Sequence, residues 1–177
     1  METIKIFFFA IASFFGIEEQ LFFSEKTTVT VYPNEHKIEI IQKDIFALTQ
    51  TENDKQLAKK EWEKLLNWES NKIEWSEDLK YFSNKKIEFL DIKNDKTVKI
   101  TLVYDYPNDM TAMGIWYNEE KNQFSMNYIP EDMLKTKEGI KNGIFWNCDG
   151  GKTFSFTITP FTKIPQDKKF LVNLYSN

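Results

Sequence analysis

Thr27 to Ile41 reads TTVTVYPNEHKIEII. Val29 and Val31 alternate with Thr28, Thr30 and Tyr32, then Pro33-Asn34-Glu35-His36 interrupts, and Ile38 and Ile40 resume the pattern. A period of two suits a strand with one buried face, and two such runs across a short turn predict an antiparallel hairpin. The same signature recurs downstream. Ile87 to Ile92 and Val98 to Tyr104 flank Lys93-Asn94-Asp95-Lys96; Met113 to Tyr117 and Phe124, Met126 and Tyr128 flank Asn118 to Asn122. A fourth hairpin is expected from Ile144 to Asn147 with Phe154, Phe156 and Ile158, folded about Asp149-Gly150-Gly151.

One segment has a different period. Ala58, Trp62, Leu65 and Leu66 recur at helical spacing, and Asn53 with Gln56 three residues on has the form of a helix cap. An amphipathic helix is therefore expected at about 53–68, with Lys59, Lys60, Glu63 and Lys64 on its solvated face. Ser76-Glu77-Asp78 suits a second, shorter turn. Strands joined by short turns pair antiparallel, so the fold class is α+β: a mainly antiparallel sheet, as a sandwich or partial barrel, with the one helix packed on a face. Parallel doubly wound folds, which alternate strands with helices, are excluded.

The chain has 177 residues, enough for one domain with its own core, and 41% hydrophobic and 16% aromatic residues exclude intrinsic disorder. Its 23 basic residues, all of them Lys, are outnumbered by 27 acidic ones, for a net charge of −4. Nucleic acid is thus not an expected partner, and without a guanidinium fork the bidentate capture of phosphate or carboxylate is disfavoured.

Ile6 to Ile17, IFFFAIASFFGI, is an uncharged apolar run after Lys5 and before Glu18-Glu19. That order resembles a secretory signal, though the small-residue pair Ala10 and Ala12 falls too early for ordinary cleavage. As a helix the run would rise about 18 Å, short of a hydrocarbon core of roughly 30 Å. The expected division is an apolar leader over 1–23, signal-like or an uncleaved anchor, and a globular domain over 24–177. Membrane association through Ile6 to Ile17 and a cell-envelope location follow from it. Burial of the same run as a strand or helix of the domain is the competing reading.

Chemistry-bearing motifs are sparse. Gly151-Lys152-Thr153 imitates a phosphate loop, but position 146 is Trp where the first glycine should be, and a strand pattern follows. Cys148 is the single cysteine and His36 the single histidine, which rules out a disulfide within the chain and a multi-thiolate zinc site. Asp91, Asn94 and Asp95, and likewise Asp105, Asn108 and Asp109, have the short spacing of oxygen ligands for a hard cation, yet Asx residues are equally what turns prefer. Glu74, Glu77, Asp78 and Glu88 could act as acid or base only if the fold brought two together. No catalytic residue, metal or cofactor is assigned. Amphipathic aromatics are the remaining candidates: Trp68 and Trp75 in polar company, and Trp116, Tyr117, Tyr128 and Trp146 among the later strands, for contact with a partner or ligand. Three functions are consistent with this inventory. They are a non-enzymatic envelope module acting by protein–protein contact, a carrier of a small apolar ligand or sugar in an aromatic-lined cavity, and a carboxylate-dependent hydrolase.

Overall fold

The computed structural model describes residues 8, 10–17, 21–92, 95–126 and 129–171. Among these residues it is an α+β fold of two antiparallel sheets with one α-helix. The first hairpin pairs β1 (Phe22–Tyr32) with β2 (Lys37–Leu48) across the turn Pro33–Glu35. His36 closes that turn at φ 50°, a left-handed conformation. The second hairpin pairs β3 (Phe82–Ile92) with β4 (Asp95–Tyr104), and β4 also lies against β2. The third joins β5 (Ile115–Asn118) to β6 (Gln123–Met126).

The remaining strands are β7 (Leu134–Thr136), β8 (Ile140–Asn142), β9 (Phe145–Asp149), β10 (Phe154–Ile158) and β11 (Lys169–Leu171). The larger sheet runs β3-β4-β2-β1-β10-β7, with β11 on the far end of β2, and the smaller runs β5-β6-β9-β8. Both sheets keep free edges, so neither closes into a barrel. The expected fourth hairpin does not form. β9 belongs to the smaller sheet and β10 to the larger, so the Asp149-Gly150-Gly151 turn carries the chain between sheets. Both strands alternate as a hairpin would, but each finds its partner elsewhere: β10 on β1, β9 on β6 and β8.

Register explains the core. Phe156, Val29, Ile40, Ile100 and Ile87 form one rung across five strands of the larger sheet. The first four are buried. The opposite face carries Thr28, Glu39, Lys99 and Thr157, all part-exposed, with a hydroxyl–hydroxyl bond of 3.1 Å between Thr28 and Thr157. This is the division that period-two sequence imposes on a sheet with one wet face.

The helix, α1, runs Glu52–Leu66. Its cap is Thr51, not Asn53. Thr51 Oγ1 accepts from the Asp54 N–H (3.2 Å), while the Asp54 carboxylate accepts from the N–H groups of Thr51 (2.8 Å) and Gln50 (2.9 Å). Those backbone donors hold the Asp54 carboxyl below the usual carboxylate range. Ala58, Trp62 and Leu65 are the buried face, and the Trp62 ring packs edge-on against Phe22 of β1 and Phe89 of β3.

The described part of the opening apolar run lies in this core. Phe8, Ile11, Phe14 and Phe15 belong to the same buried cluster as the sheet residues, and Phe8 sits edge-on to Phe156. Ile11–Phe14 is a short 3-10 turn, followed by a backbone bridge from Phe15 to Trp75. The division placed at 23/24 falls inside β1. Among the described residues no helix is long and apolar enough to cross a membrane.

Candidate functional site

Trp68 and Trp75 flank the opening segment. Phe15 stacks on Trp75 (5.2 Å between centroids, 24°) and tilts against Trp68 (5.4 Å), while the two indoles meet edge to face at 5.5 Å. Gly16 N–H donates to the Glu74 carbonyl (3.2 Å) and Ser76 N–H to the Phe14 carbonyl (2.9 Å). Both rings are half-buried, and their apolar faces are taken by a segment of their own chain. Their polar sequence neighbours pointed toward the surface; a contact across sixty residues drew the rings inward.

The smaller sheet separates the other candidates by parity. Cross-strand pairs place Trp116, Ser125, Asn147 and Ile140 on one rung, and Asn118, Gln123 and Asp149 on the next rung of the same face. Tyr117, Phe124, Met126, Trp146 and Cys148 point to the opposite face. There Phe124 and Cys148 are buried, Tyr117 packs on Phe124 at 4.9 Å, and Trp146 Nε1–H donates to the Ile129 carbonyl (3.2 Å). A cavity lined jointly by Trp116 and Trp146 is therefore not formed, because their strands aim them at opposite faces. Tyr128 lies outside the described residues.

Two further features stand out. The first is the β8–β9 hairpin. Gly143 makes its turn at φ 59°, and Ile140, Ile144 and Phe145 are exposed to 73%, 61% and 41%. Each residue of β8 is exposed, and among the described residues β8 pairs on one side only. The signal was present in the sequence: Gly143 at the first position of a two-residue turn, with Asn142 paired to Phe145 across it, suits a tight hairpin. Lys141, facing the other way, pairs with Glu131.

The second is a half-open cleft of about 600 Å³ where the chain leaves the smaller sheet for the larger. Its walls include Asn122, Gln123, Glu138, Asn147, Asp149 and Lys152. Tyr117 Oη–H donates to Asn122 Oδ1 (2.8 Å) and Ser125 Oγ–H to Asn147 Oδ1 (2.8 Å), which fixes both carboxamides. Gly150 closes the corner. Its N–H donates to the Asn122 carbonyl (2.8 Å), and a Cβ there would lie 2.4 Å from Asn122 Oδ1. Asp149 accepts from Gly151 N–H (2.9 Å) and pairs with Lys152 (3.3 Å), and both contacts lower its carboxyl pKa.

Comparison with family models, with curated proteins and with solved structures finds no match to this chain. The chemistry of its residues must therefore carry the reading alone. Burial pushes the Cys148 thiol up to about 12, which suppresses the thiolate a nucleophile would need. His36 is exposed, on the larger sheet's first turn, and stacks on Tyr104 at 5.4 Å. Asp109 accepts from the Tyr106 N–H (2.9 Å) and so fastens the 3-10 turn Pro107–Met113, the local role expected of an Asx residue. The turn with Asp91, Asn94 and Asp95 includes positions outside the described residues. Among the described residues no three His, Cys, Asp or Glu side chains are grouped as a metal site. A shallower cleft gathers Glu77 and Asp78 beside Asn108, Asp109 and Tyr81 at another edge.

Proposed function

We propose that the protein is a non-enzymatic contact module that recognises an extended segment of a protein partner along the β8 edge. The observation that carries this is the exposure of Ile140, Ile144 and Phe145 within six residues of an edge hairpin. Isolated exposed apolar side chains are ordinary; three together beside a strand at the border of a sheet form a patch that water covers poorly. An added strand would lie along the outer side of β8, and its apolar side chains would cover Ile140 and Phe145, which share a face.

The test is site-specific photo-crosslinking from position 144 in the native host, compared with an Ile140→Ser/Phe145→Ser variant. The expected result is a discrete crosslinked partner that disappears in the variant while the melting temperature stays within a few degrees, since exposed substitutions are usually worth about 0.5 kcal/mol or less. Crosslinks that persist in the variant would refute the edge as the recognition surface. An envelope location rests on Ile6 to Ile17, whose uncharged composition supports it. Side chains packed in the core cannot also lie in lipid, so the envelope reading applies to chains in which this run is outside the fold; separating membrane and soluble fractions and weighing the intact chain distinguishes the two states.

A further inference from the structure

We propose that the cleft between Asn122 and Lys152, which Ile140 of β8 also lines, binds a neutral polyhydroxylated ligand, a short carbohydrate. Two carboxamides are oriented before any ligand arrives. Tyr117 and Ser125 each donate to an Oδ1, which leaves the Nδ2–H groups of Asn122 and Asn147 as donors of fixed direction. The carboxylate of Glu138 stands on the same cleft as an acceptor, and Gln123 offers both functions. Donors and acceptors side by side match vicinal hydroxyl groups, each of which needs one of either kind.

Charge balance selects against an ion. Glu138 and Asp149 are offset by Lys121 and Lys152, all four on the cleft, so neither an anion nor a cation gains net attraction. The chain also has no Arg to grip a phosphate or carboxylate in two places. A volume of about 600 Å³ is within the range of small-molecule sites and holds one or two sugar rings.

Trp116 lies beyond the walls of the cleft, on the same face of the smaller sheet, where a ligand longer than one ring would meet it. It shares a rung with Ser125 and Asn147, two strand spacings or about 10 Å from Asn147. A disaccharide whose first ring is hydrogen-bonded at Asn147 would reach the indole with the C–H face of its second ring, the usual mode of sugar–aromatic contact.

The experiment is a ¹H–¹⁵N NMR titration of the full chain with maltose, cellobiose and N,N′-diacetylchitobiose, with glucose 6-phosphate and trialanine as comparison ligands. The expected result is saturable shifts at Asn122, Gln123, Asn147 and the Trp116 indole for at least one neutral sugar, at millimolar affinity. Asn147→Ala should weaken that binding roughly fivefold to tenfold, the loss of about one fixed hydrogen bond, whereas Ile144→Ser should leave it unchanged. Linear, unsaturable shifts with all three sugars would overturn the proposal. So would tighter binding of the phosphate or the peptide, or unchanged affinity in an Asn147→Ala protein whose spectrum shows the native fold.

Discussion

Tyr104 sits at the end of β4 with its ring buried, and its hydroxyl has no hydrogen-bond partner among the described residues. Burial, with a smaller contribution from Tyr117, raises that hydroxyl from 10.0 to about 12. An unpaired buried hydroxyl costs about 1–3 kcal/mol relative to water, and Phe fills the same space without it. Tyr104→Phe is therefore expected to raise stability by about 1 kcal/mol in urea denaturation; a loss of that size would show that the hydroxyl has a partner in solution. Gly150 illustrates the reverse dependence, since its missing side chain lets the inter-sheet turn approach Asn122. In the sequence its glycine was legible as a turn residue, but the close approach to Asn122 was not, because it depends on a neighbour twenty-eight positions away.

The opening segment is the element whose environment changes its meaning. Read alone, IFFFAIASFFGI fits a leader as well as a core strand, because lipid and protein interior reward the same apolar surface. In the fold, Phe14 is fully buried and Phe15 is held between Trp68 and Trp75. Phe14→Ala should thus cost about 3–5 kcal/mol in chemical denaturation. Were the run to lie in a membrane in the functional protein, the same change would leave the unfolding midpoint of the remaining domain where it was. The helix was placed correctly by its spacing and misplaced by two residues at its start, because Thr51 and Asn53 are both good caps and only the reciprocal bond with Asp54 separates them.

At the scale of the whole molecule, alkaline pH probes the shared core. Cys148, on the buried face of the smaller sheet, and Tyr104, in the larger, both lose their protons far less readily when folded. Each raised value favours the folded state below the ordinary pKa of its group, 9.0 for the thiol and 10.0 for the phenol, and that contribution is lost as pH rises toward about 12. Stability should fall steadily above about pH 9, and Tyr104→Phe should flatten the upper part of the decline; a pH-independent unfolding midpoint from 8 to 11 would contradict the burial of both groups.

Strand content, the antiparallel habit, the lone helix and its buried Trp62 followed from the sequence, because each depends on the spacing of residues within one segment. Which strands share a sheet did not. β9 and β10 alternate as flanks of a hairpin, yet they part company, since pairing is settled by what lies beside each strand and no local pattern encodes that. The same holds for function: aromatic side chains could be counted in advance, but only strand parity turned Trp116 and Trp146 to opposite faces, and only the meeting of two sheets set Asn122, Asn147 and Glu138 around one cleft.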